Sequence, residues 1–159
     1  MSKYDQRRKR LIEKYESAYK IFPSPPWVCV YCRFPADSLD HVPPLSAVDR
    51  VGMDHIEKQR VSLFKFWCCR QCNGLLGDKE LFTVEQRRKY LAKRFMQKHL
   101  ALIESASWTV DDLSELGRGM RKYVQDHADL GEWARRKLEN LSTSLESTIQ
   151  KPDELGDIL

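Results

Sequence analysis

The sequence predicts an α+β fold, in which a small cysteine-stapled module of short strands sits between a basic N-terminal helix and a C-terminal helical extension. Three observations carry this expectation. Apolar residues recur at helical spacing toward both ends of the chain, the periodicity lapses between Trp27 and Gly77 where prolines gather, and the cysteines there form two Cys-x2-Cys pairs. The 159 residues are 42% hydrophobic and 31% charged, which suits one globular unit and excludes extended disorder as the dominant state. No apolar run approaches the ~18 residues of a membrane span, and the first twenty positions lack the apolar stretch of a signal peptide. A chain without membrane association, in the cytoplasm, is expected.

Residues 1–23 read as a basic helix, because Tyr4, Leu11, Tyr15, Ala18 and Phe22 recur at helical steps over 3–22 before Pro23, Pro25 and Pro26. Residues 24–80 form the central module, with Trp27–Tyr31 and Val61–Trp67 as strands. Residues 81–150 return to helical spacing. Thr83 with Gln86 is a capping box ahead of Val84, Leu91, Phe95 and Leu102, and Thr109 with Asp112 opens a second helix through Val110, Leu113, Leu116 and Met120. A third helix is expected after Gly131, through Ala134, Leu138, Leu141 and Leu145, and 151–159 reads as an acidic, frayed end.

Charge is distributed unevenly. The net +4 conceals seven basic against three acidic residues in 1–20, and six basic residues against Glu85 in 84–98. Two basic helices suit a polyanion such as nucleic acid, although solvated helix faces have the same composition. The apolar stripes of the C-terminal helices offer a surface for a protein partner.

The cysteines point to a metal. Cys29 and Cys32, then Cys69 and Cys72, form two knuckles separated by 36 residues. Four thiolates can converge tetrahedrally on Zn2+, whereas Cys-x2-Cys pairs suit structural disulfides poorly and a thioredoxin-like redox pair does not explain two knuckles. The binding free energy of a structural zinc, of order 10–16 kcal/mol, would help a short, proline-interrupted module hold one shape. Cys68 is expected in the core or beside the site.

Between the knuckles stands Leu39-Asp40-His41-Val42-Pro43-Pro44-Leu45, and Asn73 follows the last cysteine. The order Cys-x2-Cys, Asp-His-x-x-Pro, Cys-x2-Cys-Asn resembles the zinc-bound branch of the HNH endonucleases over about residues 27–80. The resemblance implies a ββα-metal finger on a treble-clef scaffold that hydrolyses phosphodiester bonds in nucleic acid, foremost DNA. It implies His41 as general base, and a histidine suits the task because its ordinary pKa of about 6.5 lets it take a proton near neutrality. It also implies Asp40 and Asn73 as ligands of a catalytic Mg2+ or Mn2+.

Two departures accompany the resemblance. The family's middle Asn, which orients the histidine, is absent from Gln59–Trp67, so Ser62, Gln59 or a backbone carbonyl would take that task. Gly74-Leu75-Leu76-Gly77-Asp78 follows Asn73 in place of basic residues, so phosphate contacts fall to Arg33, Arg70 and Lys79 and to Arg87, Arg88, Lys93 and Arg94 of the basic helix. Each assignment has a plain counterpart: a structural Asp-His pair, Asn73 as a helix cap, Pro43-Pro44 as a rigid turn. His55 is expected at the surface or near the site, and His99 and His127 within helices. The rival functions are a non-catalytic zinc module that binds nucleic acid or protein, and a nuclease subunit active only in a complex.

Overall fold

The computed structural model describes residues 2–105 and 108–143. Leu145 and the acidic end 151–159 lie outside the described residues.

Helix α1 (Lys3–Tyr15) starts at a capping box, in which Ser2 Oγ accepts the Asp5 N–H at 3.1 Å and the Asp5 carboxylate accepts the Ser2 N–H at 3.0 Å. It ends seven residues before the boundary expected from periodicity. A 3-10 turn (Glu16–Ala18) follows, and then strand β1 (Lys20–Ile21). The N–H groups of Lys20 and Phe22 donate to the carbonyls of Leu63 and Lys65 at 3.1 and 2.9 Å, so sheet pairing takes the bonds a longer helix would have used. Residues 20 and 21 thereby belong to the sheet.

Strands β2 (Ser38–Val42) and β3 (Phe64–Cys68) pair antiparallel, with Asp40 opposite Phe66 and His41 opposite Lys65, and β1 runs parallel along the other edge of β3. Trp27–Tyr31 is not a strand. It enters a tight loop closed by the Val28–Pro35 bridge, in which the Arg33 N–H donates to the Cys29 carbonyl at 2.9 Å. Between β2 and β3 lie two short helices, α2 (Leu45–Val51) and α3 (Met53–Lys58), joined at Gly52, whose φ of 82° favours glycine. Helix α4 (Arg70–Leu76) follows β3 directly and uses Cys69 as its N-cap.

The C-terminal part contains α5 (Val84–Ile103), α6 (Val110–Ser114) and α7 (Arg118–Ser142). The capping boxes at Thr83 and Thr109 form as expected. Gly131, expected to separate two helices, instead lies buried inside α7. A Cβ there would stand 2.6 Å from Ser105 Oγ and 2.9 Å from the Leu102 carbonyl, so this glycine permits close approach to the end of α5.

Two apolar clusters hold these elements together. Leu11, Tyr15 and Tyr19 pack with Val48, Ile56 and Leu63, seating α1 on α2 and α3. The larger cluster joins the cysteines and Tyr31 to Leu91 and Phe95 of α5 and to Ala134 and Leu141 of α7. The helical extension therefore shares the core of the cysteine module. No described helix is long and apolar enough to cross a membrane.

Candidate metal centre and active-site cleft

The two knuckles meet through local geometry. The Val28–Pro35 bridge folds Cys29 and Cys32 into one tight loop, while the α4 N-terminus places Cys69 and Cys72 one helical turn apart. The Sγ atoms of Cys29, Cys32, Cys69 and Cys72 all lie within 4.8 Å of one another, and those of Cys32 and Cys69 are 3.7 Å apart. Tetrahedral zinc with bonds of about 2.3 Å requires sulfur–sulfur edges of about 3.8 Å. The four buried, free thiols fit Zn2+, and four protein ligands would leave it no open position, as in a structural site. Cys68 is not part of this group, and its Sγ lies 3.3 Å from Ser38 Oγ. Burial pushes its thiol pKa up.

Helix α7 reaches into this centre. Lys137, 3% exposed, donates from Nζ to Cys69 Sγ at 3.5 Å and to Gln71 Oε1 at 2.5 Å, over the rings of Phe34, Phe95 and Trp133. Burial pulls its pKa down, but the thiols of Cys32, Cys69 and Cys72 outweigh burial and hold it above the usual lysine value. Asn140 Nδ2 donates to the Cys32 carbonyl at 3.0 Å. Neither residue carries a sequence signal for this role, since Lys137 lies 68 positions from Cys69 and Asn140 lies 108 from Cys32.

Asp40 and His41, neighbours in β2, face opposite environments because side chains alternate along a strand. Asp40 is 7% exposed, and its Oδ2 accepts from both the Tyr31 hydroxyl and Arg87 Nη1. Burial first, and then the Asp40 charge, raise the Tyr31 pKa well above its usual value. Arg87 is 1% exposed and also donates from Nε to the Leu81 carbonyl at 2.9 Å, while its buried Nη2 has no partner among the described residues. The Asp40 carboxylate is thus committed to a buried ion pair. A guanidinium against it does not suit a second cation, so Asp40 with Asn73 does not fit as the holder of a divalent ion.

His41 turns toward the first turn after α1. Its Nε2 lies 2.7 Å from Glu16 Oε2, and Lys65, its partner across the β2–β3 ladder, donates from Nζ to Glu16 Oε1 at 2.6 Å. The Lys65 hydrogen bond, seconded by His41, outweighs burial and holds the Glu16 carboxyl below the usual range. The rings of Tyr19 and His41 stand nearly perpendicular, at 85°, with centroids 4.9 Å apart. Glu16 was not legible as a site residue, because it stands 25 positions from His41 with no motif between them.

Asn73 lies inside α4 and does not cap it. Its Nδ2 reaches the Leu39 carbonyl at 3.4 Å and Ser38 Oγ at 3.5 Å, tying the helix to β2. His41 and Asn73 line one cleft of about 530 Å³ with Arg7 and Arg8 of α1, Arg70 of α4, and Asp78. Asp40 borders the same cleft. Arg70 is exposed and pairs with Asp37 at 3.0 Å.

The other expected phosphate contacts divide. Arg87 and Arg88 are 1% and 4% exposed, and Arg88 donates to the carbonyls of Asn140 and Thr143. Both arginines are structural, which corrects their assignment to nucleic acid. Lys93 and Arg94 are exposed on α5, and Lys79 is exposed beyond α4, but none lines the cleft. Arg33 lies at a separate hollow of about 440 Å³ with Trp133 and Arg136. His55 is exposed on α3. His99 packs with Phe95 and Trp133, and His127 with Tyr123.

Comparison with family models, with curated proteins and with solved structures finds no match to this chain.

Proposed function

We propose that the protein is a metal-dependent endonuclease of the HNH type that hydrolyses phosphodiester bonds in nucleic acid, with DNA as its substrate. The observation that carries this reading is the placement of His41 on the wall of a cleft that also presents Arg7, Arg8 and Arg70. Three arginines around an open cleft suit the charge of a phosphodiester backbone, and a histidine among them suits removal of a proton from water. The order of cysteine loop, antiparallel pair and cysteine-capped helix supports a treble-clef scaffold held by Zn2+.

On this reading, water attacks phosphorus as His41 takes its proton. The bond to the 3′ oxygen breaks, the departing alkoxide takes a proton from solvent to give a 3′ hydroxyl beside a 5′ phosphate, and the arginines offset the charge on the pentacoordinate phosphate. Mg2+ or Mn2+, when bound, would supply further positive charge; with Asp40 committed to Arg87, the remaining carboxylate at the cleft is Asp78, with Asn73, Ser38 and Ser46 as neutral oxygen donors.

The test is nicking of supercoiled plasmid by zinc-loaded protein, with Mg2+ or Mn2+ added or omitted. Divalent-dependent conversion to open circles is expected. Its absence, with DNA binding retained, would favour the second reading, a zinc module that binds nucleic acid without cleaving it, which the commitment of Asp40 to Arg87 supports.

A further inference from the structure

We infer that Glu16 is the positioning residue for His41, fixing the imidazole with its proton on Nε2 and its lone pair on Nδ1. The inference rests on the hydrolytic reading for its purpose but on geometry for its content. A carboxylate only accepts hydrogen bonds, so Glu16 Oε2 at 2.7 Å selects the form of the ring that carries hydrogen on Nε2. The neutral ring then has its lone pair on Nδ1, and among the described residues Nδ1 has no hydrogen-bond partner. The histidine side chain is 19% exposed and lines the arginine cleft, so water can reach it.

The carboxylate is itself held. Lys65 grips Glu16 Oε1 at 2.6 Å, and the β2–β3 register places that lysine opposite His41. Tyr19 packs across the imidazole in a T-shaped contact, while the Tyr19 hydroxyl donates to the Pro43 carbonyl at 2.7 Å. Residues from the turn after α1, from β2 and from β3 thus converge on one imidazole. This arrangement supplies the orienting contact that Gln59–Trp67 lacks, and supplies it from outside the cysteine module. A carboxylate that orients a histidine acts through it, by selecting the tautomer and fixing the ring.

The experiment is a long-range proton–nitrogen correlation spectrum of protein labelled with 15N-histidine, in mildly alkaline buffer, for wild type, Glu16→Gln and Glu16→Ala. Wild type is expected to show His41 as the Nε2–H tautomer and Glu16→Ala a mixture, with zinc content unchanged. A wild-type Nδ1–H tautomer, or identical His41 signals in wild type and Glu16→Ala, would overturn the inference. In plasmid nicking, Glu16→Gln is expected to lower kcat by about 10²-fold with KM unchanged. Full kcat in that variant would also overturn it. If the spectra behave as expected while no form of the protein cleaves DNA, the positioning stands and the hydrolytic reading fails.

Discussion

Adjacent residues in β2 have opposite roles, and the difference follows from strand geometry. Asp40 points into the interior and meets Arg87 and Tyr31; His41 points to the cleft and meets Glu16. A buried pair is costly to break from one side, because the remaining charge stays desolvated, typically by about 3–5 kcal/mol. Asp40→Asn is therefore expected to destabilise the fold by about that amount, read as a lower melting temperature with zinc retained. Adding Arg87→Met should recover much of the loss. An unchanged melting temperature in Asp40→Asn would show that the pair does not support the fold. The Asp-His dipeptide was visible in the sequence, but the partner of each residue was not, because Arg87 and Glu16 come from distant segments.

At the scale of elements, the two basic helices behave differently. Helix α1 keeps Arg7 and Arg8 exposed at the cleft, whereas α5 turns Arg87 and Arg88 inward to satisfy carbonyls and a carboxylate. A count of charges along a helix does not reveal which face meets the core. Each phosphate neutralised on duplex DNA contributes about 0.9 to the slope of log K against log salt. Joint substitution Arg7→Ala and Arg8→Ala is expected to make that slope shallower by about two, while Lys93→Ala with Arg94→Ala leaves it unchanged. The reverse pattern would place the nucleic acid on α5. Helix starts at Thr83 and Thr109 were legible because capping is local. The end of α1 was not, since pairing of β1 with distant β3 decides it; α2 and α3 were hidden among Pro43, Pro44 and Gly52.

Over the whole molecule, the cysteine module and the helical extension form one structure. Leu91, Phe95, Ala134 and Leu141 complete the core around the four cysteines, and Lys137 and Asn140 reach the centre itself. The four cysteines that could hold a metal were readable from spacing alone, because two Cys-x2-Cys pairs suit one tetrahedral site. The close approach of α7 to α5 at Gly131 was not, because a glycine that admits a neighbouring chain looks in sequence like one that ends a helix. The cysteine-centred frame and the proposed role of His41 are separable by experiment. The most direct measurement is plasmid nicking by His41→Ala beside wild type, with zinc content and melting temperature recorded for both. Cleavage by His41→Ala is expected to fall by at least about 10²-fold while zinc content and melting temperature remain at wild-type values; cleavage at the wild-type rate would remove His41 from the reaction.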